Sequence, residues 1–182
     1  MKYIIMLVAI GSLFLSCKKE SQPTEENDNE LITTIQIDFS KRNSDDKLTF
    51  IWEDADGAGG DIPYADTIKL DDNSVYDAKV SFWNKSKNPA EEITPEVIGE
   101  SEHHRVYLEP SAGSGILINN FDIDVNGMPL GINSVWTTSD ASEGNVVVVL
   151  RHYPEGGKAA DDPVTSTKST TDAGAVFLVV SE

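Results

Sequence analysis

The chain has 182 residues, 31 acidic against 14 basic side chains, a formal charge of −17 and a single cysteine. That length suits one domain with a real core and is short for two. The charge argues against a nucleic-acid partner, because a phosphate backbone needs a basic face, and one cysteine leaves no internal disulfide and no cysteine-built metal cage.

The first element is an apolar run from Ile4 to Leu15, preceded by Lys2 and stopped by Lys18-Lys19. It is too short and too sharply flanked for a spanning helix and reads as a signal peptide. Phe14-Leu15-Ser16-Cys17 closes it as a lipobox, so residues 1–16 are expected to be removed and Cys17 to be lipidated. Several acyl chains at about 0.8 kcal/mol per buried methylene hold a protein on a membrane where one chain would not. Residues 17–30 contain KKESQPTEENDNE, which has no apolar residue able to pack and reads as a disordered acidic tether. As a flexible chain it spans on the order of 20 Å.

From residue 31 to residue 182 a single domain is expected, and its dominant period is two. Leu31, Thr33, Ile35, Ile37 and Phe39 share one strand face, and Leu48, Phe50 and Trp52 share the next. Further strands are expected near Thr67–Leu70, Val75–Trp83, Arg105–Leu108, Ile116–Asp124, Leu130–Thr138, Asn145–Tyr153 and Ala175–Ser181, with the apolar run Val146–Leu150 in mid-sheet. Turn signals such as Asp71-Asp72-Asn73, Asn126-Gly127 and Glu155-Gly156-Gly157 separate them. The pattern predicts an all-β, immunoglobulin-like antiparallel sandwich of about 7–9 strands. The one helical signal is Thr94-Pro95-Glu96, with Thr94 as the expected cap, Pro95 in the first turn and Gly99 as the stop, a turn or two at most.

Three constellations carry possible chemistry. The loop Asp54-Ala55-Asp56-Gly57-Ala58-Gly59-Gly60-Asp61 alternates acids and glycines, which suits calcium, an ion that takes several carboxylate and carbonyl oxygens. Asp122-Ile123-Asp124-Val125-Asn126-Gly127 copies the first half of an EF-hand loop. The bidentate acid of that motif is missing from both, since the twelfth positions are Ala65 and Asn133. Asp54, Asp56, Asp61, Asp122, Asp124 and Asn126 are the candidate calcium ligands, and a hairpin turn at Asn126-Gly127 is the competing account.

The third constellation is Glu91, Glu92, Glu96, Glu100, Glu102, His103 and His104. Imidazole with carboxylate suits zinc or another transition metal, and Glu91, Glu92, Glu100, Glu102, His103 and His104 are its candidate ligands. On a strand the two histidines face opposite ways, so only one joins a given site, with His104 on the face of Val106 and Leu108. His152 ends another strand and can approach from elsewhere. Ser111-Ala112-Gly113-Ser114-Gly115 lacks the centred serine of a nucleophile elbow, so no enzyme is expected. Trp52, Trp83 and Trp136 with Tyr64 and Tyr107 would make a sugar-stacking platform only if exposed, and at strand spacing aromatics belong to cores.

The lipobox, Phe50–Gly60, Asn84–Thr94 and Leu150-Arg151-His152-Tyr153-Pro154 together resemble small acidic lipoproteins of Bacteroidota that accompany TonB-dependent outer-membrane receptors. The resemblance implies a non-enzymatic accessory protein, anchored to the outer membrane on the cell surface or the periplasmic face, that binds or presents a ligand or metal to such a receptor. Some relatives are classed as type 1 periplasmic-binding domain proteins, a two-lobed α/β architecture that the strand pattern here contradicts. The other functional classes are a surface glycan-binding module and an acidic docking module with no small ligand.

Overall fold

A computed structural model describes residues 31–56 and 60–182. Cys17, the signal peptide, the tether and the centre of the glycine loop, residues 57–59, lie outside the described residues. The fold is all-β, as the alternation predicts, with antiparallel sheets curled into a half-barrel around a common core.

The strands are β1 (Thr34–Lys41), β2 (Lys47–Glu53), β3 (Tyr64–Ala65), β4 (Ile68–Leu70), β5 (Val75–Asn84), β6 (Glu91–Glu92), β7 (His104–Pro110), β8 (Ile116–Asn119), β9 (Asn133–Thr138), β10 (Ser142–His152) and β11 (Thr170–Ser181). Each segment expected as a strand contains one. The two-residue strands β3 and β6 are additional, and neither is long enough to show a period. One sheet runs β3-β2-β1-β5-β9-β8 with β6 beside β5, and the other runs β4-β11-β10-β7. All pairings are antiparallel except β4 with β11.

Alternation explains the core. Ile35, Ile37 and Phe39 of β1 and Tyr76, Ala78, Val80 and Phe82 of β5 point inward from the first sheet. Val146, Val148 and Leu150 of β10 and Ala173, Ala175, Phe177 and Val179 of β11 meet them from the second. Phe39 is the hub: its ring packs edge-on against Phe50, Tyr76 and Trp136, at centroid separations of 6.0, 6.0 and 5.0 Å. Edge-to-face geometry sets the positive rim of one ring on the negative face of the next.

Helix α1 (Thr94–Gly99) is the single short helix among the described residues, and none there is long and apolar enough to cross a membrane. Its cap differs from expectation: Ile93 holds that position without a side-chain bond. The Thr94 hydroxyl instead accepts the Phe82 N–H at 2.9 Å, because the helix is pressed against β5 and that strand's backbone donor is the nearer partner.

The segment between β8 and β9 joins the two sheets. Leu130 O accepts the Val106 N–H at 2.7 Å and Ile132 O accepts the Val80 N–H at 2.9 Å, so three residues bond to both sheets. Gly131 between them has φ of +85°, and a Cβ there would stand 2.3 Å from Val106 O. An L side chain at positive φ already costs about 1–2 kcal/mol, and here the obstruction is backbone. Gly131→Ala should therefore lower stability by about 2 kcal/mol or more, read as a fall in urea midpoint at unchanged slope.

Candidate metal centre

The site is built at one end of the four-stranded sheet. His104 opens β7 and His152 closes β10, and the antiparallel register sets them directly opposite each other. Both share the inward face with Val106 and Leu150. Their imidazoles stack with centroids 4.8 Å apart and an interplanar angle of 16°.

The third member arrives through a β-bulge. β10 pairs with β11 as Leu150 with Ala173 and then Arg151 with Thr171, so Asp172 is the extra residue. In uninterrupted alternation Asp172 would face away from Ala173 and Ala175, toward solvent. The bulge bends the strand and re-aims the side chain. Asp172 Oδ2 comes to 3.7 Å from His104 Nε2, with the Asp172 side chain 11 % exposed and that of His104 2 %. One ligand atom from each of His104, His152 and Asp172 lies within 4.8 Å of the others, the one such group among the described residues.

The His104 tautomer follows from its surroundings. Nδ1 stands 3.2 Å from Glu100 O, and a carbonyl only accepts, so Nδ1 carries the hydrogen and Nε2 presents its lone pair toward Asp172 and His152. Metal-binding histidines use the same arrangement, in which the far nitrogen donates to a carbonyl and orients the ring. Burial lowers the His104 pKa, aided by the neighbouring His152, against the opposing pull of the Glu100 carbonyl. The ring is therefore neutral near pH 7, the form that binds metal.

This centre retains His104 from the sequence-derived set and replaces the rest. His103 stands outside the group: its ring meets that of His152 edge-on at 6.4 Å and its Nδ1 donates to Tyr153 O at 3.0 Å. Glu91 pairs with Lys87, Glu92 is exposed on β6, and Glu102 accepts from Asn126 Nδ2 at 3.1 Å. Glu100 contributes its backbone carbonyl to His104. Nearness along the chain did not assemble the group, because Glu100, Glu102 and His103 lie in the turn before β7 and the partners of His104 come from neighbouring strands. His152 carried a visible signal, an imidazole at the end of a strand, but the bulge that recruits Asp172 leaves no mark in the sequence.

Among the proposed calcium ligands, the carboxylates of Asp56, Asp122 and Asp124 accept hydrogen bonds within the protein. Asp122 Oδ1 accepts the Gly131 and Asn133 N–H groups at 2.9 and 3.0 Å, and its Oδ2 accepts Asn133 Nδ2 at 2.8 Å. Asp124 Oδ1 accepts the Asn126 and Met128 N–H groups, closing the hairpin turn at Asn126-Gly127. Asp124 Oδ2 lies 2.8 Å from Lys158 Nζ, both side chains 1 % exposed. Asp124 is thus paired with an ammonium, and the arrangement of Asp122, Asp124 and Asn126 is that of the competing hairpin turn. At the other loop Asp56 Oδ2 accepts the Asp61 N–H at 2.8 Å, an ordinary turn bond in an exposed segment, and Asp54 donates its N–H to Thr33 O.

Lys158 also donates to Ser101 O at 2.7 Å and to His104 O at 2.8 Å. Its three acceptors come from the turn after α1, from β7 and from the turn after β8, so one cation pins three segments behind the metal centre. Burial alone would raise the Asp124 pKa, but Lys158 and the two backbone donors outweigh it and hold the carboxyl below its ordinary 3.8.

A carboxyl depressed in the folded state contributes stability above its unfolded pKa, and that contribution is lost as pH falls through the folded value. Lys158→Met leaves a buried carboxylate without its cation and should cost about 3–5 kcal/mol at pH 7. The deficit should shrink below about pH 4 as Asp124 becomes protonated. Urea unfolding at a series of pH values checks both the size and the sign.

No family model matches the chain, and it matches no curated protein and no solved structure.

Proposed function

We propose that this protein is a non-enzymatic, lipid-anchored accessory protein whose sandwich binds a transition-metal ion, zinc being the fitting probe, and presents it to an outer-membrane receptor of the TonB-dependent class. The observation that carries the metal reading is the convergence of His104, His152 and Asp172 on one point, with the His104 ring oriented by Glu100 O. Two imidazoles and a carboxylate are borderline ligands that favour zinc and its neighbours over calcium, which wants more oxygens. The lipobox at Cys17 supports the anchor, and a surface of strong negative charge raises the local concentration of cations. The receptor rests on the family resemblance.

The glycan-binding alternative fares worse on geometry. Trp136 is fully buried, Trp52 packs against the core, and Trp83 is half-buried with its Nε1 donating to Ser81 Oγ. These rings do not form an exposed platform. The docking alternative keeps the acidic surface in its favour and requires no ion.

Thermal unfolding of the domain with chelator and then with zinc tests the metal reading. An ion bound only by the folded state at 100 times its Kd adds about 2.7 kcal/mol, a rise in Tm of about 5–10 °C for a domain of this size. The rise should vanish in His104→Ala and His152→Ala; no rise in the wild type, or one that survives both changes, refutes metal binding. The anchor is tested separately: Cys17→Ser should move the full-length protein from the membrane to the soluble fraction.

A further inference from the structure

We propose that the end of the sandwich at which the chain enters the domain rests its apolar tips in the surface of a zwitterionic phospholipid bilayer; this rests on the lipid-anchor reading above. β1 begins at Thr34, in register with Glu53, the last residue of β2, and with Trp83 near the end of β5. The connections that leave β2 and β5 therefore start beside the point of entry. The first carries Ile62 and leads to Tyr64, which pairs with Glu53, and the second carries α1 with Ile98. Asn126 Nδ2 donates to Glu102 Oε1, in the turn after α1, so the hairpin that bears Ile123 and Val125 reaches the same end.

With Leu31 these side chains are six of the ten large apolar residues exposed among the described residues, Ile62 being 96 % and Val125 81 % exposed. Exposed apolar groups scattered singly need no explanation, whereas a gathering at one end marks a contact surface. In the hairpin the usual alternation is inverted. Asp122 and Asp124 turn inward to backbone donors and to Lys158, which leaves Ile123 and Val125 facing out. A segment that buries its acids and exposes its aliphatic side chains is shaped for an apolar neighbour.

Two observations point to lipid as that neighbour. Cys17 precedes Leu31 by 14 positions, on the order of 20 Å for a flexible chain of that length. A lipidated Cys17 keeps this end within reach of the bilayer, while the opposite end lies a strand length further off, about 25 Å for the eight residues of β1. Contact is then intramolecular and needs little affinity of its own. The tips also stand on separate loops and not in a groove, and a tyrosine accompanies the aliphatic side chains, as suits shallow entry into the interface of a soft surface. Asp61, Glu92 and Glu102 are exposed at this end and repel anionic headgroups, so the fitting surface is zwitterionic. His104 and His152 lie at the same end, and docking turns the candidate metal centre toward the membrane.

The full-length lipidated protein in vesicles of phosphatidylethanolamine and phosphatidylcholine with brominated acyl chains tests the orientation. Lipidation occupies the one native thiol, so Val125→Cys and Leu117→Cys each accept a single fluorophore. Leu117 is exposed at the opposite end, where β8 pairs with the end of β9 and β9 with the start of β5. Fluorescence should be quenched at least twofold at position 125 and unchanged at 117, and adding Ile62→Asp with Ile123→Asp should abolish the quenching while the protein stays on the vesicles. No quenching at 125 in vesicle-bound protein refutes the docking and leaves the anchor standing. Quenching that survives the aspartate changes refutes it as well, because the tether alone then explains proximity. Protein that does not associate with the vesicles refutes the anchor, and the docking falls with it.

Discussion

The buried ammonium of Lys158 is the constraint on which this end of the sandwich depends. Its side chain is 1 % exposed and reaches Ser101 O, His104 O and Asp124 Oδ2, all within 2.8 Å. Burying a charge is tolerable only when every donor is met, and three oxygens meet the three hydrogens of an ammonium. The consequence is geometric more than energetic. A satisfied buried pair adds little net stability, but it allows only one arrangement of the segments it joins. Those segments carry the candidate metal centre, because the carbonyl that Lys158 holds belongs to His104 itself.

The long connection between β10 and β11 uses the same device at its surface. Arg105 and Arg151 face each other across β7 and β10, a like-charge pair that would repel if left bare. Arg105 donates to the carbonyls of Ala159, Ala160 and Asp162 and stacks on the Tyr107 ring, while Arg151 donates to the carbonyls of Ser166 and Ser169. A loop without secondary structure has backbone oxygens to spare, and guanidinium groups supply the donors it lacks. In a strongly acidic protein, two of the few cations are thus spent on ordering one loop. That loop delivers β11 to the sheet at the register that contains the bulge.

The candidate metal centre is thus set by the backbone of the sheet itself. The two imidazoles are opposite partners in a ladder, and the aspartate joins them because one strand carries one residue too many. A cross-strand histidine pair is rigid by construction, which suits the capture of an ion.

The chain order of strands, the turns and the apolar faces were legible along the sequence because each depends on near neighbours. Alternation at Ile35, Ile37 and Phe39 requires only that one face be buried, and Asn126-Gly127 requires only a local turn. The all-β character follows from the same short-range pattern. Legibility ended where chemistry depends on which strands lie side by side. The pairing of His104 with His152 joins residues 48 positions apart, and it exists only because β7 and β10 are neighbours in register. The alternating acids at Asp122 and Asp124 imitated an ion loop because sequence displays ligand types and conceals the lysine, 34 positions beyond Asp124, that neutralises one of them. Local propensity and turn chemistry were therefore set by the sequence itself, whereas the site was decided by tertiary structure, since strand pairing and a bulge set the distances that ligands require.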